Sequence, residues 1–126
     1  MKEHYIHDDR SHKNLVEKIS EEFLKNGFET KLEVPLLNGS GAVDICVYEE
    51  SELLSCIEVK SSPSARMEKK KIKKQILKYK KQFGENIDYC LCHPESMDSS
   101  QIKVDQFNKE SIFINEYINN LRNHNH

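Results

Sequence analysis

Three charged residues interrupt two strongly apolar stretches of this sequence. Asp44 lies in the segment 42–48 (AVDICVY), whereas Glu58 and Lys60 lie in the segment 53–60 (LLSCIEVK). Charged side chains in stretches this apolar are costly to bury unless they pair with one another or bind a metal ion. These three residues are therefore the first candidates for chemistry.

The two segments have the composition of interior β-strands, and the polar residues between them indicate an antiparallel hairpin. If Asp44 faces Glu58, then Tyr48 faces Leu54, and the loop is the five-residue stretch 49–53. Because side chains alternate along a strand, each strand then has one charged face and one apolar face. We expect both apolar faces to pack on the same helix layer. They comprise Val43, Ile45, Val47, Ile57 and Val59.

This register places two carboxylates ~5 Å apart at Cβ. Repulsion between them raises the pKa of one carboxyl group unless a cation lies between the two. A divalent ion with oxygen ligands resolves the repulsion, and Mg²⁺ fits best because it needs only one or two carboxylates beside water and phosphate. Lys60, on the same face, could orient a water nucleophile or stabilise charge on a phosphate. The alternative is a structural ion pair of Lys60 with Asp44 or Glu58.

Hydrophobic periodicity indicates which elements position these residues. The pattern predicts the order α-β-β-β-α-β, followed by an edge strand and a helix, in an α/β protein with a mixed sheet flanked by helices. The strands before and after the second helix should be parallel. The predicted helices are 8–26, 66–83 and 108–121, and the predicted strands are 28–36, 42–48, 53–60, 88–92 and 102–107.

The chain has 126 residues, which predicts a single domain, 1–126. Its net charge is −2, but Arg66 and eight lysines against Glu68 alone give the segment 66–81 a net charge of +8. A solvated surface is the usual explanation of such a run, but the lack of interleaved acids favours contact with a nucleic-acid backbone. The lysines of this predicted interface are Lys70, Lys71, Lys73, Lys74, Lys78 and Lys81.

The remaining composition excludes several classes of protein. No apolar stretch is long enough to span a membrane, and no secretory signal is visible, so the expected location is intracellular (cytoplasmic). The four cysteines lack the spacing of a zinc site, and we expect buried, reduced thiols. They are Cys46, Cys56, Cys90 and Cys92.

Asp44 followed by Glu58-Val59-Lys60 resembles the signature of the PD-(D/E)xK nuclease superfamily. Gln75 and Tyr79 match the QxxxY pattern that follows the ExK strand in RecB-type nucleases and in the N-terminal nuclease domains of type I restriction motor subunits. The resemblance covers roughly residues 12–93. The sequence departs from this signature at Val43, because the P of PD-(D/E)xK denotes a proline immediately before the aspartate.

The resemblance implies a restriction-endonuclease-like core over about 9–93, with a C-terminal helical extension over about 102–121. It implies a nuclease that uses Mg²⁺ or Mn²⁺ to hydrolyse DNA and leaves 5′-phosphate ends. The metal ligands would be Asp44, Glu58, the Val59 carbonyl and Glu17, and catalysis would also use Lys60 and Gln75. Branched, single-stranded and duplex DNA all remain open as substrates, as does a homodimer.

Three further residues have open roles at this point. Glu17 is chosen because some family members take a carboxylate from the first helix; Glu21 and Glu22, its neighbours, are expected to be solvated. Tyr79 is a core residue, a support of the site or a contact for DNA, and His12 could approach the site from the first helix. The alternative functions are an inactive nucleic-acid-binding or protein-interaction module on the same fold, or a structural domain with a buried ion pair.

Overall fold

The computed structural model describes residues 2–62, 69–96, 100–107 and 109–124. Within these residues, six strands form one mixed sheet whose strand order follows the chain. The strands are β1 (Glu29–Pro35), β2 (Ala42–Glu49), β3 (Glu52–Val59), β4 (Asp88–Pro94), β5 (Ile102–Asp105) and β6 (Ile112–Phe113). The helices are α1 (Lys2–Lys25), α2 (Lys69–Phe83) and α3 (Ile114–His124). Among the neighbouring strands, β3 and β4 run parallel, because α2 lies between them in sequence, and the other pairs are antiparallel.

The sheet separates two apolar clusters. On one side, Ile45, Val47, Ile57 and Val59 pack against α1 and α3, which confirms that these apolar residues share one helix layer. On the other side, α2 covers the sheet with its buried stripe of Ile72, Ile76 and Tyr79. The architecture is therefore an α/β fold in which helices cover both faces of the sheet.

Val43 departs from the predicted pleat, because it belongs to the α2 cluster and not to the cluster of Ile45. The neighbouring strand is irregular at this level. Glu33 has a φ of 50° and lies between the pairs Leu32–Ile45 and Val34–Val43. A left-handed residue in a strand breaks the regular alternation of side chains locally. The predicted alternation is therefore wrong at the end of β2 where Asp44 lies.

The β2–β3 hairpin closes more tightly than predicted. Glu49 pairs with Glu52, so only Glu50 and Ser51 form the turn, and both have positive φ values of 51° and 69°. Two left-handed residues make a type I′ turn, whose twist matches that of the flanking strands. The five-residue loop 49–53 is therefore wrong.

The observed turn is shorter than the predicted loop, and a bulge between Val47 and Tyr48 restores the predicted register in the rest of the hairpin. It pairs Tyr48 with Leu53, and not with Leu54 as predicted. Beyond the bulge the ladder pairs Val47 with Ser55 and Ile45 with Ile57. One further step in this register sets Asp44 opposite Glu58.

The helices and the C-terminal region also differ from the prediction. Helix α1 begins at Lys2 and not at residue 8, and α3 begins at Ile114 and not at residue 108. The predicted strand 102–107 is observed as β5, but it is not an edge strand because β6 pairs with it. The strand β6 lies where the last helix was predicted, so the C-terminal extension 102–121 is not helical throughout. The predicted start of α2 at residue 66 lies outside the described residues.

All four cysteines are free and buried, as predicted. Cys46 and Cys56 face each other across the hairpin, whereas Cys90 and Cys92 lie on the opposite side of the sheet, toward α1 and α3.

Among the helices of the described ranges, none combines the length and the apolar character needed to cross a membrane.

Candidate active site

The site lies where the ladder between β2 and β3 ends. The last pair of the ladder is Ile45 with Ile57, and a continuing ladder would next satisfy the main chain of Val59. Side chains take over that role. The Val59 amide donates to Asp44 Oδ2 at 2.7 Å, and the Val59 carbonyl lies 3.1 Å from His12 Nε2. Asp44 and His12 thus satisfy polar main-chain groups that the sheet leaves unpaired.

His12 reaches the site from α1 and lies between its acceptors. Its Nε2 atom is 3.5 Å from Asp44 Oδ2, in addition to its contact with the Val59 carbonyl. With the proton on Nε2, the imidazole donates to the carbonyl. Asp44, Val59 and His12 therefore form one connected cluster at the end of β3.

Glu58 is the most enclosed carboxylate of the site, with 4% of its surface exposed. The Tyr79 hydroxyl of α2 donates to Glu58 Oε1 at 2.7 Å, and the Ala42 carbonyl lies 3.3 Å from the same hydroxyl. On the other oxygen, Lys60 Nζ lies 3.4 Å from Glu58 Oε2. The ion pair that the sequence left as an alternative is therefore formed, between Lys60 and Glu58.

The pKa of Glu58 is raised from 4.5 to about 7. Burial of the carboxyl group is the largest cause, and the nearby Asp44 carboxylate is the second. The hydrogen bond from Tyr79 and the charge of Lys60 act in the opposite direction without cancelling the rise. The predicted elevation of one carboxyl pKa is thus confirmed, although burial contributes more than repulsion.

The structure brings four predicted site residues together and leaves two apart. Asp44, Glu58, Val59 and Lys60 meet at the end of β3, linked by the contacts above. Glu17 is exposed on α1, and among the described residues no hydrogen bond joins it to this cluster. Gln75 is half-buried on α2 and forms no hydrogen bond to the four residues either. The roles of Glu17 and Gln75 stay predictions.

The sequence raised His12 only as a residue that could approach the site from the first helix, and the structure places it there. The buried apolar residues Val16, Ile19 and Phe23 of α1 follow His12 at i+4, i+7 and i+11, so helical spacing supports this position. Leu24, the next apolar residue, is 52% exposed and lies outside this stripe.

Tyr79 supports the site from within the core. Its side chain has no exposed surface, so in this conformation it does not offer a contact to nucleic acid. Burial and the Glu58 carboxylate raise the pKa of the Tyr79 hydroxyl well above its usual range, which keeps the hydroxyl protonated as a donor. Of the roles left open for Tyr79, the one that fits its position is the support of Glu58.

Six lysines of α2 lie on the outer side and on both flanks of the helix, away from the buried stripe that faces the sheet. None of the six forms an ion pair with a residue that the structure describes. This outer lysine face is exposed at six positions. They are Lys70, Lys71, Lys73, Lys74, Lys78 and Lys81.

The donor set at the end of β3 has the chemistry of a site for a hard cation. Asp44, Glu58 and the Val59 carbonyl could supply oxygen ligands, and the pKa of Glu58 is raised first by burial and second by the nearby Asp44 carboxylate. In the part of the chain that the structure describes, no three side chains of His, Cys, Asp or Glu form a ready metal-binding group. Mg²⁺ commonly binds through only one or two carboxylates and completes its shell with water, so two carboxylates fit this ion.

Comparisons with protein-family models, with curated proteins and with solved structures return no match for this chain.

Proposed function

We propose that this protein is a metal-dependent nuclease that hydrolyses phosphodiester bonds of DNA at the end of the β2–β3 hairpin. The same proposal includes the finer fold assignment, a restriction-endonuclease-like core of the PD-(D/E)xK superfamily. Mg²⁺ or Mn²⁺ is the proposed cofactor. Asp44, Glu58 and the Val59 carbonyl are its proposed ligands.

The observation that supports this proposal most is the convergence of Asp44, Glu58 and Lys60 around a single main-chain position. Asp44 binds the Val59 amide at 2.7 Å, and Glu58 pairs with Lys60 at 3.4 Å. Asp44 has a structural role at the Val59 amide, but its charge also raises the pKa of Glu58 and weakens the pair with Lys60. A divalent cation bound to both carboxylates would offset that repulsion.

A divalent ion held there would polarise the scissile phosphate and lower the pKa of a bound water molecule. The chain supplies the remaining chemistry. Tyr79 holds Glu58 Oε1, so that Glu58 is oriented before substrate arrives. The Lys60 ammonium is half-exposed beside Glu58, where it could stabilise negative charge on the reacting phosphate.

His12 is part of the proposed metal environment. Its Nε2 atom contacts both the Val59 carbonyl and the Asp44 carboxylate, two of the proposed ligands. A cation on these oxygens would compete with the imidazole proton for them. His12 must therefore either turn away or use a deprotonated Nε2 as a ligand when the ion binds.

The outer lysine face supports DNA as the substrate. Six exposed lysines on one helix, without acidic partners among the described residues, form a surface for a polyanion. The helix that presents them also contributes Tyr79 to the site, so one element positions both the outer lysine face and the partner of Glu58.

The test is a cleavage assay on labelled duplex, single-stranded and branched DNA with Mg²⁺ or Mn²⁺ and with EDTA controls. Glu58→Ala and Lys60→Ala should each lower cleavage at least about 1,000-fold, because they remove a metal ligand and the charge stabilisation. Glu52→Ala is the matched control, since Glu52 is exposed at the other end of β3. Cutting by both site variants at the wild-type rate would overturn the proposal.

The second candidate is an inactive nucleic-acid-binding module, and the outer lysine face favours it independently of the carboxylates. Such a module would bind DNA in a salt-dependent way. It would show no rise in melting temperature with Mg²⁺ or Mn²⁺. A protein that binds DNA but neither cuts it nor responds to either ion would establish this alternative.

A further inference from the structure

A groove lies beside α2, and neither Asp44 nor Glu58 lines it. It has a volume of about 390 Å³ and runs between α2 and the segment that follows β5. Lys73 and Lys80 stand on the α2 wall, and Lys109 stands on the opposite wall. Cationic groups therefore border both sides of the groove.

The floor and rims of the groove are apolar and partly aromatic. Leu77 is 56% exposed on its rim, Phe107 is half-buried, and Tyr89 forms part of the floor. Lys80 Nζ lies 5.9 Å from the centre of the Tyr89 ring. Lysines above an apolar, aromatic floor are the combination by which proteins hold unpaired nucleotides, with phosphates on the cations and bases against the rings.

Phe107 is held in an unusual conformation at this groove. Its φ of 66° is rare for a bulky aromatic residue, and its amide donates to Asp105 Oδ1 at 2.8 Å. The carboxylate of Asp105 thereby fixes the backbone that presents the Phe107 ring. Strained positions of this kind persist where the surrounding structure holds them, and they cluster at binding sites.

Two carboxylates also line the groove, and they limit what it can bind. Glu85 is exposed, whereas Asp88 accepts hydrogen bonds from Tyr117 and from Gln106 Nε2. Three lysines against two carboxylates leave a small positive excess. That balance disfavours a compact multivalent anion and favours a ligand with few charges and a large apolar surface, such as a nucleotide.

The groove is also close to the proposed active site. Its Tyr89 pairs with Cys56 across the parallel strands, two residues before Glu58. Two residues along a strand correspond to roughly 7 Å. On α2, Lys80 directly follows Tyr79, which binds Glu58.

We propose that this groove binds unpaired nucleotides of the DNA substrate, so that the protein prefers DNA with a single-stranded segment. The proposal rests on the proposed nuclease function for its biological meaning, but the binding itself can be measured without metal or cleavage. The chemical class of ligand is single-stranded nucleic acid. Duplex DNA, with its bases stacked inside, cannot place a base on the groove floor.

The experiment measures the anisotropy of a labelled short oligothymidine and of a labelled blunt duplex of equal length, both in EDTA. The variant Lys73→Ala/Lys109→Ala removes one exposed lysine from each wall. The matched control Lys71→Ala/Lys78→Ala removes the same charge from the other flank of α2, on the side where Gln82 Oε1 accepts from the Leu37 amide. A third variant, Phe107→Leu, keeps an apolar side chain but removes the ring.

We expect the groove pair to weaken oligothymidine binding about tenfold more than the control pair, and to weaken duplex binding no more than the control does. Phe107→Leu should weaken oligothymidine binding about fivefold, with an unchanged circular-dichroism spectrum. If both lysine pairs lose oligothymidine affinity equally, the groove proposal is wrong, whatever the cleavage assay shows. Conversely, if the groove binds oligothymidine as expected but the wild-type protein does not cleave DNA, the nuclease proposal is contradicted and the groove proposal is not.

Discussion

The two faces of α2 differ in almost every physical property. The inner face is mostly apolar and buried, and its Tyr79 hydroxyl binds the Glu58 carboxylate at 2.7 Å. The outer lysine face is exposed and carries many like charges without fixed partners among the described residues. A contact on the inner face is thus specific and individually strong, whereas the outer face acts through summed charge.

Because the two faces differ in this way, mutations should separate the two parts of the proposed function, the ionisation of Glu58 and the attraction of DNA. Changes on the inner face should alter the ionisation of Glu58 and the stability of the fold together. Changes on the outer face should alter the attraction of a polyanion and leave the fold unaffected. The following predictions test that separation.

The largest effect is expected from the pH dependence of stability. The pKa of Glu58 is about 7 in the folded state and about 4.5 in the unfolded state, so the folded state holds the proton more tightly. Stability from this group is fully present below pH 4.5 and is lost as the pH rises through 7. Compared with Glu58→Gln, the wild-type protein should lose about 2–3 kcal/mol of unfolding free energy between pH 5 and pH 8.

The measurement is urea denaturation in EDTA at several pH values, with Glu52→Gln as the exposed control on the same strand. Parallel pH profiles of the wild type and Glu58→Gln would contradict the raised pKa. Added Mg²⁺ should restore most of the loss at pH 8 in the wild-type protein only, because the ion binds the ionised carboxylate.

A smaller effect is expected for Tyr79→Phe, which removes the hydroxyl and keeps the ring. The buried carboxylate loses a charge-assisted hydrogen bond, so the unfolding free energy at pH 8 should fall by about 1–2 kcal/mol. Because that bond lowers the pKa of Glu58, its loss should move the rising limb of the cleavage pH profile to higher pH. Tyr89→Phe is the control, since its hydroxyl binds the Gly84 carbonyl, away from the carboxylates. An unshifted profile would mean that Tyr79 serves packing alone.

The smallest effect on stability is expected on the outer lysine face. Lys74→Ala and Lys81→Ala should each change the unfolding free energy by less than about 0.5 kcal/mol, because exposed substitutions remove few contacts. Each should reduce the salt dependence of duplex binding by about one in the logarithmic slope. A large loss of unfolding free energy in either variant would contradict the conclusion that the outer lysine face contributes little to stability.

The sequence predicted the central hairpin well because each of its strands has a clear alternation. The pleat predicted that Asp44 faces Glu58, and the observed pairs, which end at Ile45 with Ile57, are in the register that sets the two residues opposite each other. The turn was predicted wrongly because Glu50 and Ser51 adopt left-handed conformations that usually signal glycine or asparagine. The bulge after Val47 then corrects the register, and no single residue type announces such a bulge.

The C-terminal third was harder to predict because its elements depend on long-range pairing. Ile112 continued the apolar stripe of the last helix in sequence, yet it pairs with Val104 as part of β6. A two-residue strand has too little local pattern to compete with a helical periodicity.

The position of His12 at the site also depends on tertiary structure. It follows from the orientation of α1, which depends on whether Val16 or Leu24 packs inward.

The tight turn of the β2–β3 hairpin has a consequence for the order in which the molecule assembles. A hairpin with a two-residue turn closes in about 1–10 μs, whereas the parallel pairing of β3 with β4 must wait for the long crossover through α2. The repelling carboxylates therefore come together early, before the Tyr79 hydroxyl arrives to bind one of them. Because protonation relieves the repulsion between the two carboxylates, we expect the early hairpin to form faster in mildly acidic solution than at neutral pH, which stopped-flow refolding at the two pH values would measure.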